Sequence, residues 1–272
     1  SGERAVLTLR HGIVPAAARV TKDMLGHPPR PSAGAPRRWA GLGAHSGLGN
    51  VAVCLGLRRP LLVTDPGVKA AGLLDTALQA LRGSDVEPVV FDRVKANPGV
   101  ELVDAGADEY RAQGCDGLVA IGGGSSMDTA KGIGVVAAHS GSILDYEWGH
   151  SPLTSRIPPM IAVPTTAGTG SEVTLWAVIP DPKRKIKFNV GGTPNIASWV
   201  ALIDPELSAR LPAPVTAGTG MDALAHAVEC FTGADHQPFN DARARMGTGD
   251  GRGHRAGGYA RTRDGRRRQE TG

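Results

Sequence analysis

The chain has 272 residues, a hydrophobic content of 41% and an aromatic content of 4%, which suits one large or two smaller globular domains. No apolar run reaches the ~18 residues of a membrane span and no signal peptide is recognisable, so we expect no contact with membranes. The net charge is +4, but residues 243–272 carry nine arginines against three carboxylates, which leaves residues 1–242 slightly acidic. The body of the chain therefore lacks the basic surface that predicts nucleic-acid binding.

The three cysteines, Cys54, Cys115 and Cys230, are odd in number and lie far apart in the chain. They form no CxxC pair, which argues against a disulfide framework and against a structural zinc site. We therefore expect a reducing, cytoplasmic environment.

Residues 1–38 carry few signals of regular structure. The stretch 5–9 is compatible with a strand, whereas the proline-rich stretch 28–36 is typical of a loop or linker, because proline has no backbone N–H to donate. We expect residues 1–38 to be a poorly ordered segment, with the folded domain beginning near Trp39.

From Trp39 onward, short apolar runs alternate with stretches of helical apolar spacing. Strands are predicted over 60–65, 86–91, 118–121, 160–163 and 199–204, and helices over 48–55, 68–81, 100–113 and 126–138. The alternation predicts an α/β fold with a Rossmann-like parallel sheet, a dinucleotide-binding domain over residues 39–213. A β excursion over 173–178 and 185–190 is expected between the last two strands.

Helical spacing returns from Thr216, and residues 214–241 are expected to start an all-helical C-terminal domain. There Thr219-Gly220-Met221 is predicted to cap an amphipathic helix over 222–231. Residues 240–272 contain no Val, Leu, Ile or Phe, so we expect residues 242–272 to be a disordered Gly/Arg-rich tail. RNA binding by such a tail is the alternative, which no other part of the chain supports.

The stretch 118–131, LVAIGGGSSMDTAK, predicts a buried strand that turns at three glycines and continues as a helix. The first N–H groups of a helix are unpaired and its N-terminus is partially positive, so such a turn suits a phosphate. Glycine lets the backbone approach the anion because it has no Cβ. The alternative is a tight strand-to-helix turn that binds nothing.

Asp65, the glycine turn and the polar loop 165–171 each follow a predicted strand. Parallel α/β sheets bind ligands beyond the carboxyl ends of their strands, so these three turns indicate a site at one edge. Asp65 either accepts hydrogen bonds from an adenosine ribose, which would favour NAD over NADP, or forms a turn before Pro66. The loop offers the hydroxyls of Thr165, Thr166, Thr169 and Ser171.

Asp222 and His226 are four residues apart and share one face of the predicted C-terminal helix. A carboxylate and an imidazole at this spacing can bind one divalent metal ion. The alternative is an acidic residue favoured by the helix dipole beside an unrelated histidine. Two ligands are also fewer than the three that catalytic metal sites usually take from the protein.

Four motifs in order, GGGSSMDTAK, PTTAGTGSEVT, DPELSARLP and TGMDALAHAVE, resemble those of the iron-dependent (group III) alcohol dehydrogenase family. The resemblance extends from about residue 43 to about residue 241. It implies a Rossmann-like nucleotide domain, an all-helical C-terminal domain and a catalytic divalent metal, iron or zinc, in the cleft between them. It also implies NAD as cofactor and a small-molecule alcohol or carbonyl substrate.

The resemblance assigns site residues by their places in these motifs. Asp65 matches the residue at the adenosine ribose, Lys187 matches a cofactor-contacting lysine, and the pair Asp222 and His226 matches two metal ligands. The pyrophosphate turn is matched by Gly123, Gly124 and Ser125, with Asp128 just beyond it, and the nicotinamide half by Thr165, Thr166, Thr169 and Ser171. No further catalytic side chain is assigned.

The family implies an oxidoreductase that transfers hydride between an alcohol and NAD, with the metal as Lewis acid. Maleylacetate reductases share these motifs and are a close alternative. The family has two further metal-binding histidines downstream of His226, whereas only His236 and His254 follow here. We therefore expect a truncated or altered helical domain, and a nucleotide-binding chain with impaired catalysis is the second alternative. The substrate, the native metal and a homo-oligomeric state stay open.

Overall fold

The computed structural model describes residues 7–9, 12–14, 36–209 and 211–233. The chain divides into two compact units. Within the described residues, the sheet unit holds the chain as far as Thr166 together with Gly170–Leu211. The helical unit holds Ala167–Thr169 and the chain from Pro212 onward. The proline-rich stretch 28–36, apart from Pro36, and the tail 242–272 lie outside the described residues.

Ten strands and seven α-helices are formed by the described residues. The strands are β1 (Leu7–Leu9), β2 (Gly12–Val14), β3 (Arg37–Ala40), β4 (Leu61–Val63), β5 (Val89–Phe91), β6 (Leu118–Gly122), β7 (Met160–Pro164), β8 (Trp176–Asp181), β9 (Ile186–Gly191) and β10 (Val200–Ile203). The helices are α1 (Leu48–Cys54), α2 (Pro66–Ala70), α3 (Leu73–Arg82), α4 (Val100–Ala112), α5 (Gly124–His139), α6 (Pro205–Ser208) and α7 (Ala213–Thr232).

The main sheet has six parallel strands in the order β3-β10-β7-β6-β4-β5. β6 and β7 pair over five residues, from Leu118 with Met160 to Gly122 with Pro164. β8 and β9 pair with each other in antiparallel orientation, as do β1 and β2, and the β8-β9 pair is the expected β excursion. The predicted α/β class with a Rossmann-like parallel sheet, followed by a helix, is confirmed.

Residues of the central strands alternate between two hydrophobic cores, one on each face of the sheet. Leu118 and Ala120 of β6 pack into the core formed with α4, α5 and the β8-β9 pair. Val119 and Ile121 pack into the core formed with α1 and α3. Because both faces are covered, β6 is apolar at every position before its glycine, the pattern of a buried parallel strand.

Two predicted helices differ from the observed ones, both because of glycines. The helix predicted over 68–81 is two helices, α2 and α3, because Gly72 between them has a left-handed backbone with φ of 73°. The helix predicted from residue 126 begins at Gly124, with Gly123 as its N-terminal cap residue. Glycine in a first helical turn is unfavourable by only about 1 kcal/mol, so it does not delay the helix.

The start of α7 is a further correction. The helix begins at Ala213, with Pro214 in the first turn where proline is tolerated. Thr219 is therefore not a cap, and its hydroxyl donates back to the carbonyl of Val215 at 3.0 Å inside the helix. Of the helices in the described residues, none has the length and apolar character needed to cross a membrane.

Candidate cofactor and metal sites

The strand order reverses beside β4. β5 and β6 lie on opposite sides of β4, and the helices that lead to them, α3 and α4, pack on opposite faces of the sheet. The carboxyl ends of β4 and β6 therefore flank the crevice in which open α/β sheets bind ligands. Asp65 follows β4 and the glycines follow β6, so both predicted cofactor elements lie at this crevice.

The glycine turn, residues 122–124, joins β6 directly to α5. Gly122 has a φ of 147°, a conformation that residues with side chains rarely adopt. A Cβ on Gly122 would stand 2.4 Å from Ser126 Oγ and 2.9 Å from Asp65 Oδ2. In the part of the chain that the structure describes, no side chain caps the 16-residue helix α5, which begins after Gly123. Its first N–H groups are thus available to an anion.

The end of β7 brings a second polar group to the turn. The N–H of Thr165 donates to the carbonyl of Gly122 at 2.9 Å, which extends the pairing of β6 with β7. The hydroxyl oxygen of Thr166 is buried and has no hydrogen-bond partner among the described residues. A Cβ on Gly123 would lie 3.4 Å from Thr166 Oγ1, so this hydroxyl faces the turn. Buried polar atoms almost always have a partner, so the hydroxyl and the turn together fit an anionic ligand.

The carboxylate of Asp65 links β4, α2 and α5. Its Oδ1 accepts hydrogen bonds from the N–H groups of Gly67 at 2.9 Å and Val68 at 3.0 Å, which caps α2. Its Oδ2 accepts the Ser126 hydroxyl at 3.1 Å. The turn-forming role before Pro66 is therefore present. A carboxylate has about four acceptor sites, so Oδ2 can take a further donor.

Asp128 connects α5 to the chain that follows the polar loop. Its Oδ1 accepts the Ser171 hydroxyl at 2.5 Å, and its Oδ2 accepts the N–H of Val178 at 3.2 Å. Burial raises the pKa of Asp128, although the charge of Lys131 and these hydrogen bonds oppose the rise. Both oxygens of this predicted cofactor residue thus bind protein groups, and Asp128 holds Ser171 against α5.

Lys131, the last residue of GGGSSMDTAK, was not singled out by the sequence analysis. It is fully buried. Its Nζ lies within 2.6–3.1 Å of four acceptors: the carbonyls of Ser171, Thr174 and Trp176 and the hydroxyl of Thr174. Burial lowers the pKa of Lys131 to about 8, although the carboxylates of Asp128 and Glu172 oppose the shift. The signal was a lysine directly before residues 132–138, a helical stretch without a polar side chain, which indicates burial.

The remaining predicted residues of the sheet unit are less enclosed. Gly124 is the first residue of α5, and Ser125 is exposed in its first turn. Lys187 is exposed on β9, and its positive charge is among the influences that lower the pKa of Asp128. Gly124 and Ser125 therefore offer backbone N–H groups to a ligand, and Lys187 offers an exposed ammonium group.

Thr169 belongs to the helical unit, whereas Thr165, Thr166 and Ser171 belong to the sheet unit. Within the helical unit, the loop residues Ala167–Thr169 pack tightly on α7. A Cβ on Gly168 would lie 2.2 Å from the carbonyl oxygen of Thr219, so this contact requires glycine.

The predicted metal pair lies on one face of α7. Asp222 Oδ2 and His226 Nδ1 are 3.8 Å apart, and their side chains are 45% and 52% exposed. A carboxylate oxygen beside an imidazole nitrogen suits iron or zinc. The pair supplies two donors where a catalytic site usually takes three from the protein. His236 and His254 lie outside the described residues.

A cluster that the sequence analysis did not single out braces the sheet unit near β10. His45 Nδ1 lies 2.5 Å from Asp204 Oδ2, and a carboxylate oxygen of Glu206 lies within 4.8 Å of both. Asp204 is buried and also accepts the backbone N–H groups of His45 and Glu206. Burial raises its pKa, but these hydrogen bonds outweigh burial and the pKa is lowered. Because three protein groups already hydrogen-bond to Asp204, we interpret the cluster as a structural contact that holds β10 to the residues around His45, and we call it the brace.

Comparisons with known proteins identify sequence relatives over the same region. The family described as iron-containing alcohol dehydrogenase matches residues 35–205. Choline dehydrogenase of Bacillus subtilis (strain 168) is 54% identical over 208 residues, which are 76% of this chain and 52% of that protein. NAD-dependent methanol dehydrogenase of Bacillus methanolicus is 40% identical over 209 residues, which are 77% of this chain and 54% of that protein. The chain spans about half the length of the curated relatives it matches.

Solved structures share the fold. A crystal structure of 1,3-propanediol oxidoreductase superposes with a TM-score of 0.73 at 40% identity, covering 79% of this chain and 56% of that chain. Sulfoacetaldehyde reductase from Bifidobacterium kashiwanohense, in complex with NAD+, superposes with a TM-score of 0.72 at 34% identity and the same coverage of both chains.

Proposed function

The chain belongs to the iron-containing alcohol dehydrogenase family, and from this premise we propose an NAD-dependent oxidoreductase of small alcohols and the corresponding carbonyl compounds. The observation that carries the proposal is the glycine turn, where the N-terminus of α5 faces the hydroxyl of Thr166 and neither has a side-chain partner among the described residues. Two relatives support the cofactor, one named as NAD-dependent and one solved with NAD+. Because the chain spans about half the length of its curated relatives, the activity is part of the proposal.

The pyrophosphate is assigned to the N-terminus of α5. The N–H groups of Gly124 and Ser125 in its first turn would donate to the phosphate oxygens, and the helix dipole would complement their charge. Thr166 would add a hydroxyl donor from the end of β7. Gly123 keeps the approach open, because a side chain there would point towards Thr166.

The adenosine ribose is assigned to Asp65. Among the described residues its Oδ2 accepts a hydrogen bond from Ser126, and it can accept a ribose hydroxyl as a second donor. Because α2 is capped by Oδ1 of the same carboxylate, the side chain is already held in place. Its negative charge would repel a 2′-phosphate, which supports NAD rather than NADP.

The nicotinamide half is assigned to the polar loop and to Lys187. Thr165 and Ser171 are both fixed on the sheet unit, the first by the Gly122 carbonyl and the second by Asp128. Thr166 and Thr169 offer two further hydroxyls, and exposed Lys187 offers a cation. When bound, the nicotinamide supplies the acceptance of hydride.

The metal, iron or zinc, is assigned to Asp222 and His226, where it would supply Lewis acidity towards an alcohol oxygen. Both side chains are about half exposed, so they can reach an ion without unfolding α7. The relatives named for choline and methanol support small alcohols as the substrate class. Cys54, Cys115 and Cys230 form no disulfide, which supports a cytoplasmic location.

A second candidate function is binding of the nucleotide without turnover. It is favoured by the metal pair, which supplies only two ligands among the described residues. The two candidates share the glycine turn and differ in the metal.

The test is a fluorescence titration with NADH followed by metal analysis of the same sample. We expect Gly123→Ala to weaken NADH binding at least about tenfold, because the new Cβ narrows the phosphate approach. Gly99→Ala is the matched control: Gly99 caps α4 in the same extended conformation, and its Cβ would meet a neighbour at 3.3 Å, as at Gly123.

Each outcome separates the candidates. NADH binding with about one iron or zinc per chain supports the dehydrogenase. NADH binding without metal supports the second candidate. Absence of NADH binding, or equal binding by wild type and Gly123→Ala, would refute the assignment of the turn.

A further inference from the structure

Lys131 is an ammonium group placed entirely inside the sheet unit. A charged side chain is strongly disfavoured in an apolar interior unless polar partners surround it. Here three backbone carbonyls and one hydroxyl provide that environment, at 2.6–3.1 Å from Nζ. An ammonium has three protons and no acceptor, so it matches a group of acceptors that no neutral side chain of its size would satisfy.

All of these acceptors belong to residues 171–176, the chain that leaves the polar loop and enters β8. Ser171 is held twice, by its carbonyl to Lys131 and by its hydroxyl to Asp128. Thr174 and Trp176 are held by the same ammonium. The conformation of this segment therefore depends on two side chains that α5 presents one turn apart.

α5 also begins at the glycine turn. Gly124 and Lys131 are seven residues apart on it, a distance of about 10 Å along a helix axis. One rigid helix thus carries the proposed phosphate site at its start and the anchor of the loop's downstream end two turns later. Upstream, Thr165 is fixed to the same turn by its hydrogen bond to Gly122.

We propose that Lys131 is a positioning residue for cofactor binding, whose charged form holds residues 171–176 and thereby fixes the Ser171 end of the polar loop. The proposal rests on the proposed function, since it concerns the affinity of the same site for NADH. Lys131 is fully buried beneath this segment and would act through Ser171.

The charge of Lys131 is adjustable under mild conditions. Its pKa is lowered to about 8 by burial, against the pull of Asp128 on α5 and Glu172 in the anchored segment. Lys187 on β9 acts on the same group indirectly, because it lowers the pKa of Asp128. A neutral amine has one proton fewer and a lone pair that faces carbonyl oxygens. Affinity for NADH should therefore fall as the pH rises through this pKa.

The experiment is an NADH titration from pH 7 to pH 9 with wild type, Lys131→Met and Asp128→Asn. We expect Lys131→Met to bind NADH at least about tenfold more weakly at pH 7 and to lose the pH dependence. We expect Asp128→Asn to move the midpoint to lower pH, because Asp128 raises the pKa of Lys131. Lys183→Met is the control, an exposed lysine paired with Glu101.

A Lys131→Met protein with wild-type affinity and pH profile would overturn the proposal. If Lys131→Met does not fold, the comparison of wild type with Asp128→Asn decides, and identical midpoints would overturn it. Hydrogen exchange of residues 171–178 in cofactor-free protein separates this inference from the proposed function. If wild type binds no NADH, the proposed function fails. If the hydrogen-exchange protection of residues 171–178 changes neither with pH nor in Asp128→Asn, the anchoring of this segment by Lys131 is refuted.

Discussion

The glycine turn of the sheet unit and the metal pair of α7 are built in different ways. At the turn, Gly122 and Asp65 are fixed by backbone geometry, a helix cap and a hydrogen bond from Ser126. On α7, the side chains of Asp222 and His226 are about half exposed. The conformation of the turn is thus fixed by its surroundings, whereas the predicted metal pair is fixed only by the spacing of its helix.

The elements that carry the glycine turn are buried, whereas the helix that carries the metal pair is largely exposed. β6 and β7 are fully buried between two cores, so the turn stands on a rigid base. Of the 20 residues of α7, only Ala227 is buried, and several large apolar side chains are exposed, including Val215, Met221 and Leu224. The proposed cofactor site therefore stands on a buried base and the proposed metal site does not, and substitutions can test each separately.

The largest effect is expected from Gly122→Ala. The substitution forces a side chain into a φ of 147° and brings its Cβ to 2.4 Å from Ser126 Oγ. We expect NADH affinity to fall about 100-fold, because strain of this kind costs about 1–3 kcal/mol and the turn must shift. Fluorescence titration measures the affinity, and urea denaturation measures the stability.

Gly56→Ala is the matched control for that substitution. Gly56 also has a positive φ, 78°, but a Cβ there would meet no neighbour within 4 Å. It should lose about 1 kcal/mol of stability and no NADH affinity. Equal losses of affinity at the two glycines would show that the turn has no special role.

His226→Gln is expected to have the second largest effect, confined to the metal. Because both side chains of the pair are half exposed and make no buried contact, removing the imidazole should leave the unfolding free energy within about 0.5 kcal/mol. Metal affinity should fall more than about 30-fold, since one of two ligands is lost. Metal analysis after dialysis against a fixed iron or zinc concentration tests this. Unchanged metal content would place the metal elsewhere.

The difference between the regions also explains what the sequence could predict. The parallel sheet was accessible because buried parallel strands such as Leu118–Gly122 are continuous apolar runs, and the glycine turn because glycines interrupt such a run. The spacing of Asp222 and His226 was equally direct, since only a helix brings residues four apart together.

Long-range polar contacts were not accessible in this way. Lys131 and Ser171 are 40 residues apart, and no local pattern states that a lysine will meet a carbonyl on a distant loop. The contact of His45 with Asp204 spans 159 residues and was missed for the same reason. Local propensity also misplaced the start of α7, because Pro214, which occupies the first turn, lies outside the residues that looked like a cap.

Asp65→Asn should have a smaller effect that sharpens the cofactor assignment. The amide oxygen can keep the cap of α2, while the negative charge is lost. We expect the preference for NADH over NADPH to fall about tenfold, because repulsion of a nearby phosphate by one charge is worth about 1–4 kcal/mol in this environment. Parallel titrations with the two nucleotides measure the ratio. Asp108→Asn, an exposed carboxylate on α4, is the control.

The smallest effect is expected from acid at the brace of His45 with Asp204. The folded pKa of Asp204 lies below its usual 3.8, because the hydrogen bonds from His45 and Glu206 outweigh burial. The carboxylate therefore stabilises the fold at pH above 3.8, and this contribution is lost as the pH falls through the folded pKa. Urea denaturation at pH 5 and pH 3 should show wild type losing about 1 kcal/mol more than Asp204→Asn. Equal losses in the two proteins would mean that the acid sensitivity of the sheet unit arises at other carboxylates, and that Asp204 braces β10 through its hydrogen-bond geometry rather than its charge.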